Sequence, residues 1–340
     1  MMRQSATSRD VVVIGGSAGA LGPLKCIASS LPKELPITIF VVLHMAADSP
    51  SFVPQILNRL GGLTARHPED GERVEKGIIY VARPDFHLLV EDGRIRLSRG
   101  PRENRHRPAI DPLFRTAARA YGSRVAGVIL SGSLDDGAFG LLAVKMRGGL
   151  TIVQQPDEAF MAQMPQNAMK QSQPDFVLPE AEIGPTLTRI VRGGISPWEG
   201  DSPMGEGERK QKREQPDVAD LKAPVEGPKN GKPSEFACPE CHGVLWEEIE
   251  GTLIRYRCRV GHSYTESALA GEMSQTTEAA LWASLRALSE QASLLKGMAS
   301  RSVEPMASRY LDQARGLDEH CETIRKILLE DERAEATAGS

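Results

Sequence analysis

Short runs of apolar residues recur along the first 193 residues, and glycine-containing turns or helical patterns separate them. The clearest runs are Val11–Ile14, Ile37–Leu43, Val125–Leu130 and Leu150–Gln154. Strands without regular polar alternation are typical of a parallel sheet that is covered on both faces. Helical patterns lie between the runs, at Leu113–Tyr121 and Phe139–Arg147.

Three shorter runs, Ile78–Val81, His87–Val90 and Arg94–Leu97, break this regularity. The pair Asp92-Gly93 stands between the last two and is a strong signal for a tight hairpin. We therefore predict an α/β fold for residues 10–193, with a doubly wound, mostly parallel sheet and one antiparallel hairpin.

The rest of the chain divides into three parts. Residues 194–235 are rich in Gly, Pro, Lys and Glu without apolar periodicity, which predicts a disordered linker. Residues 236–264 contain a Cys/His cluster. Residues 265–334 show two amphipathic helical patterns, which predict a helical hairpin or a coiled coil and offer an interface for a dimer or a partner.

Composition and charge exclude some classes of function. The net charge is -4 and the pI is about 6.0, which gives no attraction to nucleic acid or to acidic membranes. The apolar run at Ile37–Ala47 is too short to span a bilayer, and the glycines near the N-terminus argue against a secretory signal. We expect a cytoplasmic protein without membrane insertion or nucleic-acid binding.

A glycine-rich turn follows the first predicted strand and contains the candidate nucleophile. The segment Gly15–Gly19 matches G-x-S-x-G around Ser17. A serine at a sharp strand-to-helix turn is exposed above the carboxyl edge of the sheet, and small neighbours permit the turn. The segment does not fit the dinucleotide-binding G-x-G-x-x-G loop, because its glycines are spaced differently. It does not fit the P-loop either, because no Gly-Lys-Ser/Thr follows.

Two further predicted strands end in residues that a serine hydrolase needs. His44 ends the second run, and Asp135 and Asp136 follow the third. Each has a plainer interpretation, since a strand-end histidine is often structural and an acidic pair can bind Mg²⁺ or cap a helix. Because the carboxyl ends of parallel strands meet at one edge, we expect Ser17, His44 and a carboxylate of the Asp135-Asp136 pair to form a catalytic triad.

Several segments of residues 10–193 resemble the catalytic domain of the chemotaxis protein-glutamate methylesterases, the CheB family. The matching segments are Ile14–Gly19 for the nucleophile turn, Leu43–Met45 for the histidine, Leu130–Ala138 for the aspartate loop, and the longer stretches Glu69–Val74 and Asn104–Phe114. The resemblance assigns Ser17, His44 and Asp136 to the triad.

The resemblance implies hydrolysis of glutamate methyl esters on chemoreceptor-like proteins, with deamidation of glutamine in some members. Ser17 then attacks the ester carbonyl, His44 takes and returns the proton, and Asp136 holds the imidazole. No cofactor is implied for catalysis. Family members usually carry a receiver domain ahead of the esterase domain. Ten residues precede the first predicted strand here, so we expect no receiver domain and no gating by phosphorylation in cis.

The sequence departs from the family pattern in two places where oxyanion donors are expected. Ala18 replaces a threonine after the serine, and Ser133 lies where the family has Gly-Met-Gly. Backbone N–H groups survive such changes, so both positions remain candidate oxyanion contacts. Arg105 and Arg107 either recognise an acidic receptor surface or brace the domain through ion pairs.

The spacing Cys238-x2-Cys241-x16-Cys258-x3-His262 gives two ligand pairs suited to tetrahedral zinc. The alternatives are three reduced structural cysteines, or His242 as the fourth ligand. A module of under 30 residues needs such a staple to fold, so we expect a structural zinc ion. The module mixes arginines with glutamates and lacks a basic stripe, which favours a structural or protein-binding role.

Two other functions stay open from the sequence. One is a receptor-binding scaffold or pseudoenzyme of the same fold, which the departures at Ala18 and Ser133 favour. The other is a hydrolase for some other ester or amide. Because a long linker separates the two modules, we also expect hydrolysis by residues 1–195 to be independent of the metal.

Overall fold

A computed structural model describes residues 9–193, 231–250 and 253–338 of the 340-residue chain. These residues form two compact units, one up to Leu269 and one from Ala270 onward. No helix of the described residues is long and apolar enough to cross a membrane.

Seven parallel strands form the central sheet of the first unit. In chain order, with the hairpin strands included, the strands are β1 (Val11–Gly16), β2 (Thr38–Leu43), β3 (Thr64–Arg66), β4 (Ile78–Val81), β5 (His87–Glu91), β6 (Arg94–Ser98), β7 (Val125–Ile129), β8 (Leu150–Gln154) and β9 (Phe176–Leu178). The sheet order is β3-β4-β2-β1-β7-β8-β9, and every pairing in it is parallel. The order reverses direction at β1, which makes the carboxyl end of β1 a topological switch point.

Helices cover both faces of this sheet. They are α1 (Leu21–Ser30), α2 (Val53–Asn58), α3 (Ile110–Tyr121), α4 (Ala138–Met146), α5 (Gln163–Ser172) and α6 (Glu180–Val191). One core joins the sheet to α1, α2 and α6, and the other joins it to α3, α4, α5 and the β5–β6 hairpin. Every residue of β1, β2, β7 and β8 is buried, which explains their continuous apolar runs.

The predicted fold class is confirmed, including the antiparallel hairpin. β5 and β6 pair antiparallel around Asp92 and Gly93, which both have positive φ angles, of 48° and 73°. Such angles at both central residues are those of the tight hairpin turn that this dipeptide favours. The sequence analysis missed β3 and β9, two edge strands of three residues each.

A second, four-stranded antiparallel sheet follows in the same unit. Its strands are β10 (Lys232–Ala237), β11 (Val244–Glu250), β12 (Leu253–Cys258) and β13 (Ser263–Thr265), paired in that order. We call residues 231–269, with this sheet, the Cys/His module. The first strand begins four residues before the predicted start at 236, because Lys232 and Pro233 pair with β11 and Ser234 Oγ donates to the Leu245 carbonyl. Residues 194–230 of the predicted linker lie outside the described residues.

Two long helices complete the described chain, α7 (Glu266–Ala299) and α8 (Met306–Ala338). Leu285 packs with Cys321 and Leu328 in a small core between them. An ion pair of 2.7 Å joins Lys296 to Asp318 farther along. Residues late in α7 thus meet residues early in α8, which makes the two helices an intramolecular hairpin. A dimer through these helices stays a prediction.

Candidate active site

Ser17 lies in the turn between β1 and α1, at the switch point of the sheet. Its backbone N–H donates to Ser131 O at 2.9 Å, and its carbonyl accepts from Ala20 N at 3.1 Å. Gly19 completes the turn with a φ of +79°, a backbone conformation that L side chains rarely adopt. The turn therefore holds a partly exposed serine above the carboxyl edge, as its G-x-S-x-G pattern predicts.

The loop after β7 approaches Ser17 closely because it contains a glycine. A Cβ atom built on Gly132 would lie 2.9 Å from Ser17 Cβ and 2.7 Å from the sulfur of Met164. Both distances are shorter than real Cβ contacts, so an alanine here would displace the nucleophile or the methionine. Glycine at this position lets the aspartate loop and the nucleophile turn share one edge of the sheet.

His44 follows β2 and is joined to Asp136. Its Nε2 atom lies 2.7 Å from Asp136 Oδ2, and the two side chains are 5% and 2% exposed. The backbone N–H of His44 donates to Gly16 O at 3.1 Å, directly before Ser17. The other ring nitrogen, Nδ1, is buried and has no hydrogen-bond partner among the described residues. A buried polar atom without a partner is costly in a structural residue, so this nitrogen is a candidate for a functional role.

A second histidine covers the ring of His44. The rings of His44 and His106 stack with centroids 3.6 Å apart and planes 15° from parallel. Burial, and then the nearness of the His44 imidazole, lower the pKa of His106 to about 3. His106 is therefore neutral near pH 7 and presents an uncharged aromatic face to the candidate base.

Asp136 accepts four hydrogen bonds and is almost completely buried. Besides His44, it accepts the backbone N–H groups of Ile110 at 2.6 Å and Asp111 at 3.2 Å, and Asn104 Nδ2 at 2.9 Å. Ile110 and Asp111 begin α3, where free N–H groups and the helix dipole favour a negative charge. Burial alone would raise the pKa of Asp136, but the hydrogen bonds, first that of His44, hold it well below its usual range. The carboxylate is ionised and fixed.

Asp111 is a second buried carboxylate beside Asp136. It accepts N–H groups from Gly137 at 3.0 Å and Gly140 at 2.7 Å, and it shares the amide of Asn104. Burial and the charge of Asp136 raise the pKa of Asp111 to about 7. These contacts tie the start of α3 to the start of α4, so the loop carrying Asp136 is anchored from both sides.

The predicted oxyanion and substrate contacts have mixed surroundings. Ala18 is exposed in the nucleophile turn, and its carbonyl accepts from Ser131 Oγ at 2.7 Å. Ser133 is partly buried in the aspartate loop. Arg107 donates to Asp85 at 2.6 Å and to the Gly100 carbonyl at 2.8 Å, which are bracing contacts.

Arg105 is partly buried next to Asn104, with a positive φ of 72°. Substrate contacts by Arg105 and Arg107, and oxyanion contacts by Ala18 and Ser133, stay predictions.

Four predicted metal ligands come together in the Cys/His module. One ligand atom from each of Cys238, Cys241, Cys258 and His262 lies within 4.8 Å of all the others. Cys241 Sγ and Cys258 Sγ are 3.5 Å apart, and Cys258 Sγ is 3.5 Å from His262 Nδ1. A tetrahedral zinc with bonds of about 2.1–2.3 Å separates neighbouring ligand atoms by roughly 3.5–3.8 Å, so the group fits this ion.

The surroundings of the group also suit a metal. His262 turns Nδ1 toward the thiols, and its Nε2 lies 3.2 Å from Glu240 Oε2. A carboxylate on the second ring nitrogen is the usual way to orient a metal-binding histidine. The hydrogen bond between the two thiols holds the pKa of Cys238 far below its usual range and that of Cys258 far above it, so Cys238 is the thiolate of this pair, the form that binds metal. His242, the rival fourth ligand, is outside this group of four.

Sequence reasoning missed the roles of Asn104, His106 and Asp111, although all three lie within the segment that resembles the CheB family. A dense polar stretch directly before a helix N-terminus was the available signal. Its meaning depends on contacts with Asp136, more than 20 residues away along the chain, which no local pattern reports.

Comparisons with known proteins agree with this geometry. The CheB methylesterase family model matches residues 12–187. A relative from Leptospira interrogans is 39% identical over 187 residues, which are 55% of this chain and 97% of the relative. A Thermotoga maritima protein named protein-glutamate methylesterase/protein-glutamine glutaminase is 36% identical over 190 residues, 55% of each chain.

A solved structure is also similar. The crystal structure of the Thermotoga maritima CheB methylesterase catalytic domain aligns with a TM-score of 0.50 at 35% identity. The alignment covers 54% of this chain and all of that domain. The matched region contains the sheet, the nucleophile turn and the His44–Asp136 pair, and so this chain belongs to the CheB methylesterase family.

Proposed function

We propose that this chain is a protein-glutamate methylesterase whose triad is Ser17, His44 and Asp136. The observation that carries the proposal is the 2.7 Å contact of His44 with a buried, ionised Asp136, beside the turn that holds Ser17. Membership of the CheB methylesterase family and the names of its relatives support the same activity. The substrate class is a methyl-accepting chemoreceptor-like protein, and the site of action is cytoplasmic.

The proposed reaction has two halves. Ser17 Oγ attacks the carbonyl carbon of the glutamate methyl ester while His44 Nδ1 takes the hydroxyl proton. The tetrahedral intermediate collapses, the imidazolium returns the proton to the departing methoxide, and methanol leaves an acyl-serine. Water then attacks the acyl carbon with His44 as base, which frees the glutamate carboxylate and restores Ser17.

Asp136 stabilises the charge that forms on His44. The imidazolium carries a positive charge while the tetrahedral intermediate exists, and the carboxylate 2.7 Å from Nε2 attracts it. The same contact determines the tautomer of His44. An ionised carboxylate can only accept a hydrogen bond, so Nε2 must carry the proton that points at Asp136. Nδ1 is then left as the acceptor for Ser17.

The same machinery suits an amide substrate of the same shape. Attack on a glutamine side chain would form the same acyl-serine and release ammonia in place of methanol. Relatives of this chain carry both activities in their names. We propose deamidation as the second activity, limited by the poorer leaving group.

Methanol release from a methylated receptor peptide tests the proposal. Ser17→Ala should lower kcat on the order of 10⁶-fold, because the attacking oxygen is lost. Ser29→Ala, an exposed serine on α1, is the matched control and should leave kcat unchanged. A scaffold would bind the peptide equally well with either variant and release no methanol from the unaltered chain, and that result would reject the enzyme.

We propose that Cys238, Cys241, Cys258 and His262 hold one structural zinc ion. The ligand separations and the carboxylate behind His262 support this set over one that contains His242. Cobalt exchanged for zinc should give the intense visible bands of a tetrahedral thiolate site. Cys258→Ser should abolish them and His242→Ala should leave them unchanged. Loss of the bands in the His242 variant would overturn the ligand set.

A further inference from the structure

The residue next to the triad aspartate binds the Cys/His module. Asp135 is 2% exposed, and its two carboxylate oxygens each accept one hydroxyl from the module. Thr265 Oγ1 donates to Oδ1 at 2.7 Å, and Ser267 Oγ donates to Oδ2 at 2.7 Å. Two adjacent residues of one loop thus have different partners. Asp136 contacts His44, whereas Asp135 contacts the Cys/His module, 130 residues away along the chain.

The module also holds Asn104, which donates to the triad carboxylate. The backbone N–H of Thr265 donates to Asn104 Oδ1 at 3.1 Å, and the Ser263 carbonyl accepts from Asn104 N at 2.8 Å. A backbone N–H can only donate, so it fixes the oxygen of the Asn104 amide on the module side. Both amide hydrogens are then directed away from the module, toward Asp136 Oδ1 and Asp111 Oδ2.

Charged groups strengthen the same contact. Glu103 precedes Asn104 and forms two hydrogen bonds with Arg115, at 2.9 and 2.8 Å. Two buried arginines of β12, Arg255 and Arg257, lie close enough to act on it. Burial opposes its charge, but Arg115, Arg255 and Arg257 prevail and lower the pKa of Glu103 to about 2. The interface therefore carries an ionised, largely buried carboxylate whose charge Arg115 and two arginines of the module stabilise.

The metal ligands lie immediately beside these contacts. Cys258 ends β12 and His262 precedes Ser263, the first residue of β13. Cys258 N donates to His262 O at 3.0 Å, which closes the turn between the two strands. A metal bound by both residues would hold this turn, and with it Ser263 and Thr265, against the catalytic loops.

We propose that the Cys/His module is a working part of the esterase, whose strand β13 positions the triad aspartate through Asn104 and Asp135. Thr265 and Asn104 are positioning residues, since they act on His44 through Asp136. Turnover then requires the docked, metal-loaded module. This differs from the expectation, drawn from the long linker, that residues 1–195 hydrolyse esters independently of the metal. This inference rests on the proposed esterase function of Ser17.

Variants of the full-length, metal-loaded chain test the proposal. Thr265→Val keeps the size of the side chain and removes the hydroxyl, whereas Thr265→Ser keeps the hydroxyl. Thr277→Val removes an exposed hydroxyl from α7 and is the matched control. We expect Thr265→Val to lower kcat about 10- to 100-fold with KM nearly unchanged, as a small misplacement of a catalytic group does. Thr265→Ser and the control should retain the activity of the unaltered chain.

A second readout separates this proposal from the esterase function itself. The proton shared by His44 and Asp136 should give a far-downfield ¹H resonance, assigned by its loss in His44→Ala. We expect Thr265→Val to shift or broaden it while bound metal stays at one per chain, and chelation of the metal to do the same reversibly.

The outcomes are distinct. An unchanged resonance together with unchanged kcat in Thr265→Val overturns the positioning through Asp135, because this variant loses the hydroxyl but keeps the backbone N–H that Asn104 accepts. The same result in the metal-free chain overturns the positioning role of the module as a whole. Equal losses in Thr265→Val and Thr265→Ser also overturn the positioning through Asp135, because the hydroxyl is then irrelevant. A resonance that responds in a chain without Ser17-dependent turnover supports the positioning role and rejects only the esterase function.

Discussion

The α/β domain and the Cys/His module are stabilised in different ways. Two large apolar clusters cover both faces of the seven-stranded sheet. The module has one small cluster, which includes two of the proposed metal ligands, Cys238 and Cys258. A core of that size cannot compensate the entropy of ordering its strands without a metal or a partner surface. The folding of the module therefore depends on its proposed ligand group and on the loops of the α/β domain that it contacts.

Metal removal should give the largest effect on this comparison. A structural zinc contributes roughly 10–16 kcal/mol to the folding of a small domain, so the chelated module should unfold. Hydrogen exchange should then show β10–β13 exchanging as an unfolded chain while β1, β2 and β7 keep their protection. Full protection of the module after chelation, with its cysteines reduced, would contradict the metal requirement.

A core substitution should give a smaller effect on the opposite side. Phe114 is fully buried between α3 and the sheet, and Phe114→Ala should lower the free energy of unfolding of the α/β domain by about 3–5 kcal/mol. Denaturant unfolding measures this loss, and metal content should stay at one per chain. Phe52→Ala, at a side chain that is 61% exposed, should change stability by less than about 0.5 kcal/mol. Similar losses in both variants would refute the assigned core.

The smallest effect is a change in how steeply the free energy of unfolding depends on pH. The pKa of His106 is lowered to about 3, whereas an unfolded histidine titrates near ~6.5. Between these values the unfolded chain binds a proton that the folded chain does not, so stability falls as pH falls. His106→Phe should make the curve between about pH 4 and 6 shallower by up to about 1.4 kcal/mol per pH unit.

The range from pH 7.5 to 8.5 serves as the internal control for that variant. His106 is neutral there in both the folded and the unfolded chain, so the free energy of unfolding should change with pH equally in the variant and the unaltered chain. An acid-side slope that is identical in His106→Phe and the unaltered chain would show that burial does not suppress protonation of this ring.

Sequence patterns predicted the centre of the fold and missed its edges for physical reasons. β1, β2 and β7 are buried on both faces, so their apolar runs are unmistakable. β3 and β9 have three residues each, which is too short to show a period. Local composition thus identifies long, buried strands and fails for edge strands of three residues.

The candidate site divides in the same way. Ser17, His44 and Asp136 follow strands that the sequence predicts, so their convergence could be inferred from sheet geometry. The contact of Asn104 with Thr265 joins a turn residue before α3 to the last residue of β13, 161 positions away. A polar linker suggests independent modules, and no local pattern encodes the docking of one on the other.

The positions of the strands along the chain determine when each part of the proposed site is synthesised. Ser17, His44 and Asp136, the proposed triad, follow three adjacent strands, β1, β2 and β7, but β7 emerges from the ribosome more than 80 residues after β2. A nascent chain that ends before Asp136 therefore contains a serine and a histidine without their acid. If β13 completes the support of that carboxylate, a growing chain acquires full hydrolytic power only once Thr265 has been added, 130 residues after Asp135.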